Sequence, residues 1–273
     1  MGKSGIEIFS EVLSSYMSYK DKFLKNLFIH DKSLINKFYE SFASKNFNDL
    51  SIQRTFILEF VKIKSNAEEI NSLTSCDLNI FKMFGVGETM HSYLITNLLN
   101  PGGNQGQKQL FLNIFLDMLN INRYHDYENW VVTAEKGRID ILLKRIQPHS
   151  VIVIENKSNY AIDQENQIYR YWYQEIYSTI RNKNFPENFI LNPPSEFYQL
   201  IYLSPSPEKI INEISISRPL DWDEELPKKV PMQIKQVYYP EFIVDWLQKS
   251  YDLISPNNHR LKEFINQYVD LWN

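Results

Sequence analysis

The chain has 273 residues, of which 43% are hydrophobic and 23% are charged, as expected of a globular protein with one large domain or two small ones. A single cysteine, Cys76, excludes a disulfide framework and any zinc site that needs cysteine pairs. The formal net charge of −4 lacks the excess of Lys and Arg that is typical of nucleic-acid-binding domains, although a local basic face would be enough for such binding.

The first 80 residues predict a helical extension that packs on the rest of the chain. Apolar residues recur there at helical spacing, for example in SLINKFYESF and TFILEFVKI. The N-terminus has no uninterrupted apolar run of the kind that forms a secretory signal. No stretch approaches the roughly 18 apolar residues that a membrane span needs. We therefore expect a cytoplasmic protein that has no membrane partner.

Two amphipathic helices are predicted next, and the pattern then changes to strands. GETMHSYLITNLLN ends at a Pro-Gly-Gly stop signal, and KQLFLNIFLDML follows it. From Trp130 onwards, the short Val- and Ile-rich runs WVVTAE, RIDILLKRI and SVIVIENK predict three strands in an antiparallel meander. The run VIVI is apolar at every position, which indicates a central strand that is covered on both faces.

The remaining elements complete a mixed α/β pattern. A long helix is predicted from about residue 163 to residue 182, with Asp163 as its N-cap. Two strands, FYQLIYLSP and QIKQVYY, precede the helices EFIVDWLQKSYDLI and RLKEFINQYVDLW. This order predicts a sheet with helices on its faces. Because no repeat or low-complexity linker is visible, we expect residues 81–273 to form the core and the whole chain to form one compact domain.

The residues that can carry chemistry lie on the second and third predicted strands. Asp140 interrupts an apolar strand, and alternation predicts that Ile139 and Ile141 face the other way. A charge on a solvated face or at a strand edge is the alternative interpretation of Asp140. Glu155 and Lys157 are two residues apart at the end of the apolar run, so they project from the same face. Alone, this pair is common by chance and fits a simple ion pair.

The combination of these residues is more informative than each pattern alone. Adjacent antiparallel strands can bring Asp140 and Glu155 together on one face of the sheet. Two carboxylates suit Mg²⁺, which completes its octahedron with waters and a substrate phosphate. Lys157 could then orient the attacking water or stabilise the developing negative charge. The pattern favours metal-assisted hydrolysis of a phosphodiester.

These residues resemble the signature of the PD-(D/E)XK nuclease superfamily, with Asp140 in GRIDILL and Glu155-Asn156-Lys157 in VIENK. The motifs ETMHSYLITNLLNP, FLNIFL and DQENQIYRY resemble those of one uncharacterised branch of it. The chain departs from this branch at residues 104–106, where Asn-Gln-Gly stands in place of Ser-His-Gly. The resemblance implies a restriction-endonuclease-like α-β-β-β-α-β core, with a mixed central sheet flanked by helices.

The resemblance also implies further site residues. It makes Glu88 a third metal-binding acid, and Glu88 shares a helix face with Ser92. The alternative is that Glu88 only interacts favourably with the positive end of the helix dipole. Gln167 and Tyr171 resemble a Gln-x-x-x-Tyr motif of the recombination-exonuclease branch. This implies that Gln167 holds a water or a phosphate and that Tyr171 contacts the DNA backbone or Lys157. A polar helix flank explains their spacing equally well.

The favoured hypothesis is a nuclease that hydrolyses DNA with Mg²⁺, or with Mn²⁺ as an alternative, in restriction, repair or phage defence. The alternatives are a catalytically silent module that binds nucleic acid or protein, and a nuclease directed at RNA. The oligomeric state is open, a homodimer being one option. His91 is compatible with a partner of Glu88 or with a core histidine. A positive rim for the phosphate backbone is predicted from Lys136, Arg138, Lys144, Arg145, Lys157 and Arg170.

Overall fold

The computed structural model describes residues 58, 62, 65, 66, 69–75, 77–124, 129–182 and 185–272. The chain divides into two compact units, Met1–Ile80 and Phe81–Asn273. Most of the predicted helical extension lies outside the described residues; its longest described run, 69–75, is helical as far as residue 74. Among the described residues, no helix has the length and apolar character needed to cross a membrane.

One mixed sheet of five strands organises the second unit, in the order β1-β2-β3-β4-β5. The predicted meander is confirmed: β1 (Trp130–Lys136), β2 (Ile139–Arg145) and β3 (Ser150–Asn156) pair antiparallel. β4 (Tyr198–Ser204) runs parallel to β3, and β5 (Ile234–Tyr238) runs parallel to β4. The carboxyl ends of the three parallel strands β3, β4 and β5 therefore meet at one edge of the sheet.

Helices cover both faces of this sheet. The first face carries α1 (Ile80–Phe84), α2 (Glu88–Leu99), α3 (Leu110–Met118), a π-helical turn (Tyr239–Ile243), α8 (Val244–Leu253) and α9 (His259–Val269). The second face carries α4 (Gln167–Tyr171), a π-helical segment (Trp172–Tyr177), α5 (Ser178–Arg181), α6 (Glu187–Leu191) and α7 (Glu213–Ile216). The predicted α/β core with a mixed sheet between helices is confirmed.

The central strand β3 joins the two hydrophobic cores. All seven of its residues are buried. Ile152 and Ile154 pack on the first face, whereas Val151 and Val153 pack on the second face. Each fully buried side chain of this size stabilises the fold by roughly 1.5–3 kcal/mol relative to an exposed one. The prediction of a strand covered on both faces is confirmed, and β3 is a rigid base for the residues that follow it.

The predicted N-cap at Asp163 was wrong. The helix begins at Gln167, and its N-cap residue is Asn166 in a left-handed conformation, with φ of 57°. The buried Asp163 carboxylate instead accepts hydrogen bonds from the Tyr202 hydroxyl (2.9 Å) and from the Asn212 backbone N–H (2.9 Å). An aspartate before a helix predicts a cap only if no distant donors compete for it, and here two do.

Strand alternation also fails around Asp140. Ile139 belongs to the core of the second face and Ile141 to the core of the first face, although alternation predicts one face for both. β2 pairs with β3 only from Ile141 onwards, and Glu135 and Arg138 of the β1–β2 hairpin have φ of 53° and 68°. These left-handed residues break the regular pleat, so alternation cannot be extended backwards through Asp140.

We expect Trp246→Ala to lower the free energy of unfolding by about 3–5 kcal/mol, because the change empties a large site in the first core. The Trp246 ring is fully buried against Phe111 and Phe115, and its indole N–H donates to the Phe111 carbonyl (2.8 Å). Urea denaturation followed by circular dichroism measures the effect. Val131→Ala, at an exposed position of β1, is the control and should change stability by about 0.5 kcal/mol at most.

Candidate active site

Asp140 and Glu155 lie where β2 and β3 separate. The last backbone pair between these strands is Ile141 with Ile154, and the two carboxylates come one residue further along each strand. The Asn156 backbone N–H, which no longer has a strand partner on β2, donates to Asp140 Oδ2 (2.6 Å). The splayed strand ends thus leave room for polar side chains between them and keep Asp140 attached to β3.

Glu155 is the most deeply buried carboxylate of this cluster, with 1% of the residue exposed. Its Oε1 forms an ion pair with Lys157, and its Oε2 has no hydrogen-bond partner among the described residues. Burial raises the pKa of Glu155 to about 8, and the neighbouring charge of Asp140 adds to the effect. A buried carboxylate oxygen without a partner is costly unless something binds to it.

Lys157 lies between two of the acids. Its ammonium forms ion pairs with Glu155 and, at 3.7 Å, with Glu88 Oε1. Burial acts to lower the pKa of Lys157, but the charges of Glu155, Glu88 and Asp140 together outweigh it and the net pKa is raised. The backbone N–H of Lys157 donates to the Leu203 carbonyl (2.8 Å), which anchors this residue to β4. The side chain is therefore held as a buried cation.

Glu88 reaches the same cluster because Asn156 attaches α2 to the end of β3. The Asn156 amide donates to the Glu88 carbonyl (2.9 Å) and to Ser92 Oγ (3.0 Å), and its Oδ1 accepts from the Tyr239 hydroxyl (2.8 Å). The Glu88 side chain is 24% exposed, and burial raises its pKa. The helix face shared with Ser92 is buried as predicted, and it brings Glu88 to Lys157.

Gln167 and Tyr171 lie side by side on α4 and face this cluster from the second face. The Gln167 amide donates to the Tyr171 hydroxyl (2.8 Å), which in turn donates to the Arg138 carbonyl. Burial raises the pKa of Tyr171, and the nearby charge of Glu155 raises it further. Tyr171 thus holds the hairpin that leads into Asp140. Oε1 of Gln167 has no hydrogen-bond partner among the described residues.

Sequence reasoning missed a fourth acid, Glu135 on β1. The β1–β2 register passes from Ala134 with Ile141 to Lys136 with Ile139, so Glu135 lies opposite Asp140. The Ser92 hydroxyl is within hydrogen-bond reach of the Glu135 carboxylate. Burial is the main reason why the pKa of Asp140 is raised to about 7, and the charge of Glu135 contributes to it. The signal in the sequence was that Glu135 and Asp140 are both acids and stand on opposite sides of the hairpin turn at Gly137.

His91 is a core residue. Its ring is buried between Tyr239, Tyr268 and Trp272, and Nδ1 lies 2.6 Å from the Tyr268 hydroxyl. Burial lowers the pKa of His91 to about 4, so the ring is neutral at ordinary pH. Of the two interpretations of this histidine, the structure favours the core histidine.

The predicted positive rim was wrong for Arg145, which is buried. Arg145 is 1% exposed, and its guanidinium donates to the carbonyls of Asn122 and Pro148 and to Ser150 Oγ. Lys144 forms an ion pair with Glu175. The Arg145 guanidinium serves the fold, because it ties β2 to the Asn122 carbonyl and to the turn after β2. Lys136, Arg138 and Arg170 are exposed, and the Lys144 side chain is 44% exposed although it pairs with Glu175.

The donor chemistry of the cluster fits a hard divalent cation. Asp140, Glu155 and Glu88 offer carboxylate oxygens, which Mg²⁺ prefers. The Glu155 oxygen that has no hydrogen-bond partner among the described residues is suited to bind it. In the part of the chain that the structure describes, however, no group of three His, Cys, Asp or Glu side chains is close enough to form a ready-made metal site. The Lys157 ammonium lies between Glu88 and Glu155 instead.

Glu155→Gln should raise the melting temperature in a chelating buffer, and the gain should grow as the pH rises from about 4.5 to about 8. The raised pKa of Glu155 means that folding favours the protonated acid, so its contribution to stability is present at low pH and is lost as the pH passes the folded pKa. The depressed pKa of His91 affects both proteins equally. Differential scanning calorimetry over this range measures the difference.

Glu241→Gln, at an exposed glutamate, is the matched control and should change the melting temperature little at any pH. A Glu155→Gln variant that melts below the parent at pH 8 would show that the carboxylate stabilises the fold.

The family model of the PD-(D/E)XK nuclease superfamily matches residues 78–270 of this chain. This range contains the whole sheet and every residue of the cluster described above. No curated protein and no solved structure matched the chain in the same comparisons. Because the family match spans well over half of the sequence and includes the splayed strands with their carboxylates and lysine, the chain belongs to the PD-(D/E)XK nuclease superfamily.

Proposed function

We propose that this chain is a divalent-metal-dependent nuclease that hydrolyses phosphodiester bonds of DNA at the cluster around Glu155. The observation that carries the proposal is that buried acidic groups outnumber the cations beside them among the described residues. Glu88, Asp140 and Glu155 share one buried ammonium, that of Lys157. Carboxylates removed from water need partners in order to ionise, and among the described residues these acids have too few of them. A divalent cation and a phosphate together would balance the site.

Asp140 and Glu155 are the proposed metal ligands, with Glu88 as a third. We expect Mg²⁺, with Mn²⁺ as an alternative. Such a cation supplies Lewis acidity toward the scissile phosphate and toward the attacking water. The protein holds Asp140 through the Asn156 backbone N–H and holds Glu155 on the buried strand β3, so both ligands are fixed before a cation arrives.

Lys157 is the proposed cation for the transition state. Its raised pKa keeps the side chain charged, so it acts by donating hydrogen bonds and by neutralising charge. With Glu155 serving as a metal ligand, the Lys157 ammonium would be free to donate to a phosphate oxygen on which negative charge develops. A fixed donor of this kind stabilises a transition state without having to reorganise.

Gln167 and Tyr171 are proposed to position the reacting groups. Tyr171 donates to the Arg138 carbonyl and therefore fixes the hairpin next to Asp140. Oε1 of Gln167, which no described residue contacts by a hydrogen bond, can accept one from a water in the site. Both side chains are buried, so they act on the site from the protein interior on the second face of the sheet.

DNA is the proposed substrate, and restriction, repair and phage defence are the proposed settings. Lys136, Arg138 and Arg170 are exposed close to the cluster along the chain and can contact the phosphate backbone. Contacts with phosphates do not read the base sequence, so we propose binding without base specificity. Because such contacts release counterions, the binding should weaken as the salt concentration rises.

A direct test is to incubate the purified full chain with supercoiled, linear duplex and single-stranded DNA, and with RNA, each with Mg²⁺, Mn²⁺ or a chelator. Cleavage of DNA that requires the divalent cation and is lost in Glu155→Gln supports the proposal. Cleavage confined to RNA would reassign the substrate, and binding without cleavage of any substrate would leave a silent binding module.

Asp140→Ala should abolish most of the heat of Mn²⁺ binding in isothermal titration calorimetry, because the change removes one of two fixed oxygen ligands. Asp245→Asn, in an exposed ion pair with Lys249 on α8, is the matched control and should bind as the parent does. An Asp140→Ala variant with the parent's affinity would mean that the metal binds elsewhere.

Lys157→Ala should keep metal and DNA binding but lose turnover by roughly 10²–10³-fold, the size expected for one lost transition-state donor. Single-turnover cleavage rates and a separate binding titration measure the two effects. Lys249→Ala, at an exposed lysine, should cleave at the parent's rate. If Lys157→Ala also cleaved at that rate, Lys157 would not be part of the catalytic machinery.

A further inference from the structure

The loops that follow β3 and β4 lie next to each other, because these parallel neighbours end at the same edge of the sheet. In open α/β sheets, ligands bind at the carboxyl ends of strands. The two loops are linked directly: the Tyr160 hydroxyl, from the first loop, donates to Ser206 Oγ of the second loop (3.2 Å). Lys157 begins the first loop, so both loops border the cluster.

Tyr160 presents an aromatic ring three residues after Lys157. The residue is 59% exposed, although its backbone is held in place. The Tyr160 N–H donates to the Lys157 carbonyl (3.1 Å), and the Asn159 amide before it donates to the Val86 carbonyl (3.2 Å). The backbone of Tyr160 is left-handed, with φ of 58°. Such strain in a bulky residue is maintained by its surroundings and tends to occur at binding sites.

Lys209 extends from the second loop toward the acids. Its Nζ lies 3.8 Å from Asp163 Oδ2, which is beyond hydrogen-bond length. Asp163 is already satisfied by the Tyr202 hydroxyl and the Asn212 N–H. The charge of Lys209 also acts on Glu88, and its side chain is 17% exposed. This lysine therefore lies near enough to Glu88 for its charge to be felt there, and its long ion pair with Asp163 leaves its ammonium N–H donors open to a ligand.

We propose that these loops form a nucleotide subsite beside the reaction centre, in which Lys209 binds a phosphate adjacent to the scissile one and Tyr160 stacks on an unpaired base. The inference rests on the proposed function and narrows its substrate to DNA that is single-stranded at this position. A lysine binds phosphate as a compact charge. An exposed ring stacks on any base, but in a duplex the faces of the bases are covered by their neighbours.

Lys209 is tested by the salt dependence of binding. Glu155→Gln serves as the background that does not cleave, and the probe is a fluorescently labelled single-stranded DNA of 12 nucleotides in an anisotropy titration. Adding Lys209→Ala should reduce the slope of log affinity against log salt by about 0.7, the value for one phosphate contact on a single strand. Lys209→Arg should largely restore the slope. Lys249→Ala, an exposed lysine on α8, should leave it unchanged.

Tyr160 is tested with 2-aminopurine, whose fluorescence falls when it stacks on a ring. The same background protein should quench a single-stranded probe that contains this base. Tyr160→Ala should remove the quenching and weaken single-strand binding by roughly 5- to 100-fold, while binding to a blunt hairpin duplex stays the same. Tyr160→Phe keeps the ring and loses only the hydroxyl contact to Ser206, so it should behave as the background protein does.

The outcomes separate this inference from the proposed function. If the parent cleaves DNA with metal but Tyr160→Ala and Lys209→Ala bind single strands as well as the background protein, the subsite is overturned and the function stands. Equal loss of duplex and single-strand binding in Tyr160→Ala would also overturn the stacking role. If the parent neither binds nor cleaves any nucleic acid, the proposed function fails and the subsite fails with it.

Discussion

Three carboxylates that share one buried ammonium form the constraint on which this structure depends. In a site that excludes water, charges of one sign can be tolerated only if they are neutralised or paired. Burial therefore raises the pKa of Asp140 to about 7 and that of Glu155 to about 8. Without a bound cation the site opposes folding, and the two hydrophobic cores on either side of β3 have to offset it. Buried charge of this kind is typical of a functional site.

Asn156 resolves the geometric side of this constraint. Its backbone N–H donates to Asp140. Its side chain lies on the first face of the sheet, where it joins the start of α2 to Tyr239. Because alternation directs Glu155 and Lys157 to one face and Asn156 to the other, a single strand end can position acids from both sides of the sheet. The middle residue of the Glu-Asn-Lys motif thus has a structural role that is as specific as the roles proposed for its neighbours.

Lys157 and a divalent cation would compete for the same carboxylate. The ammonium lies between Glu88 and Glu155 in the structure, and among the described residues no three acids form a ready-made metal site. Under the proposed function, Glu155 would hold the cation, and the Lys157 ammonium would then be available to donate to a substrate phosphate. The cation would supply positive charge to a cluster in which acidic groups outnumber cations among the described residues.

The sequence by itself determined what depends on local spacing. The apolar run of β3 predicted a central strand, and the two-residue spacing placed Glu155 and Lys157 on one face, because strand geometry fixes both. Only the tertiary structure decided which polar side chains meet there. Glu135 enters the cluster through a left-handed backbone, Arg145 is buried against the distant Asn122 carbonyl, and Asp163 bonds to a remote strand and loop rather than capping a helix. Local periodicity specifies neither a left-handed backbone in a hairpin nor partners that lie far along the chain.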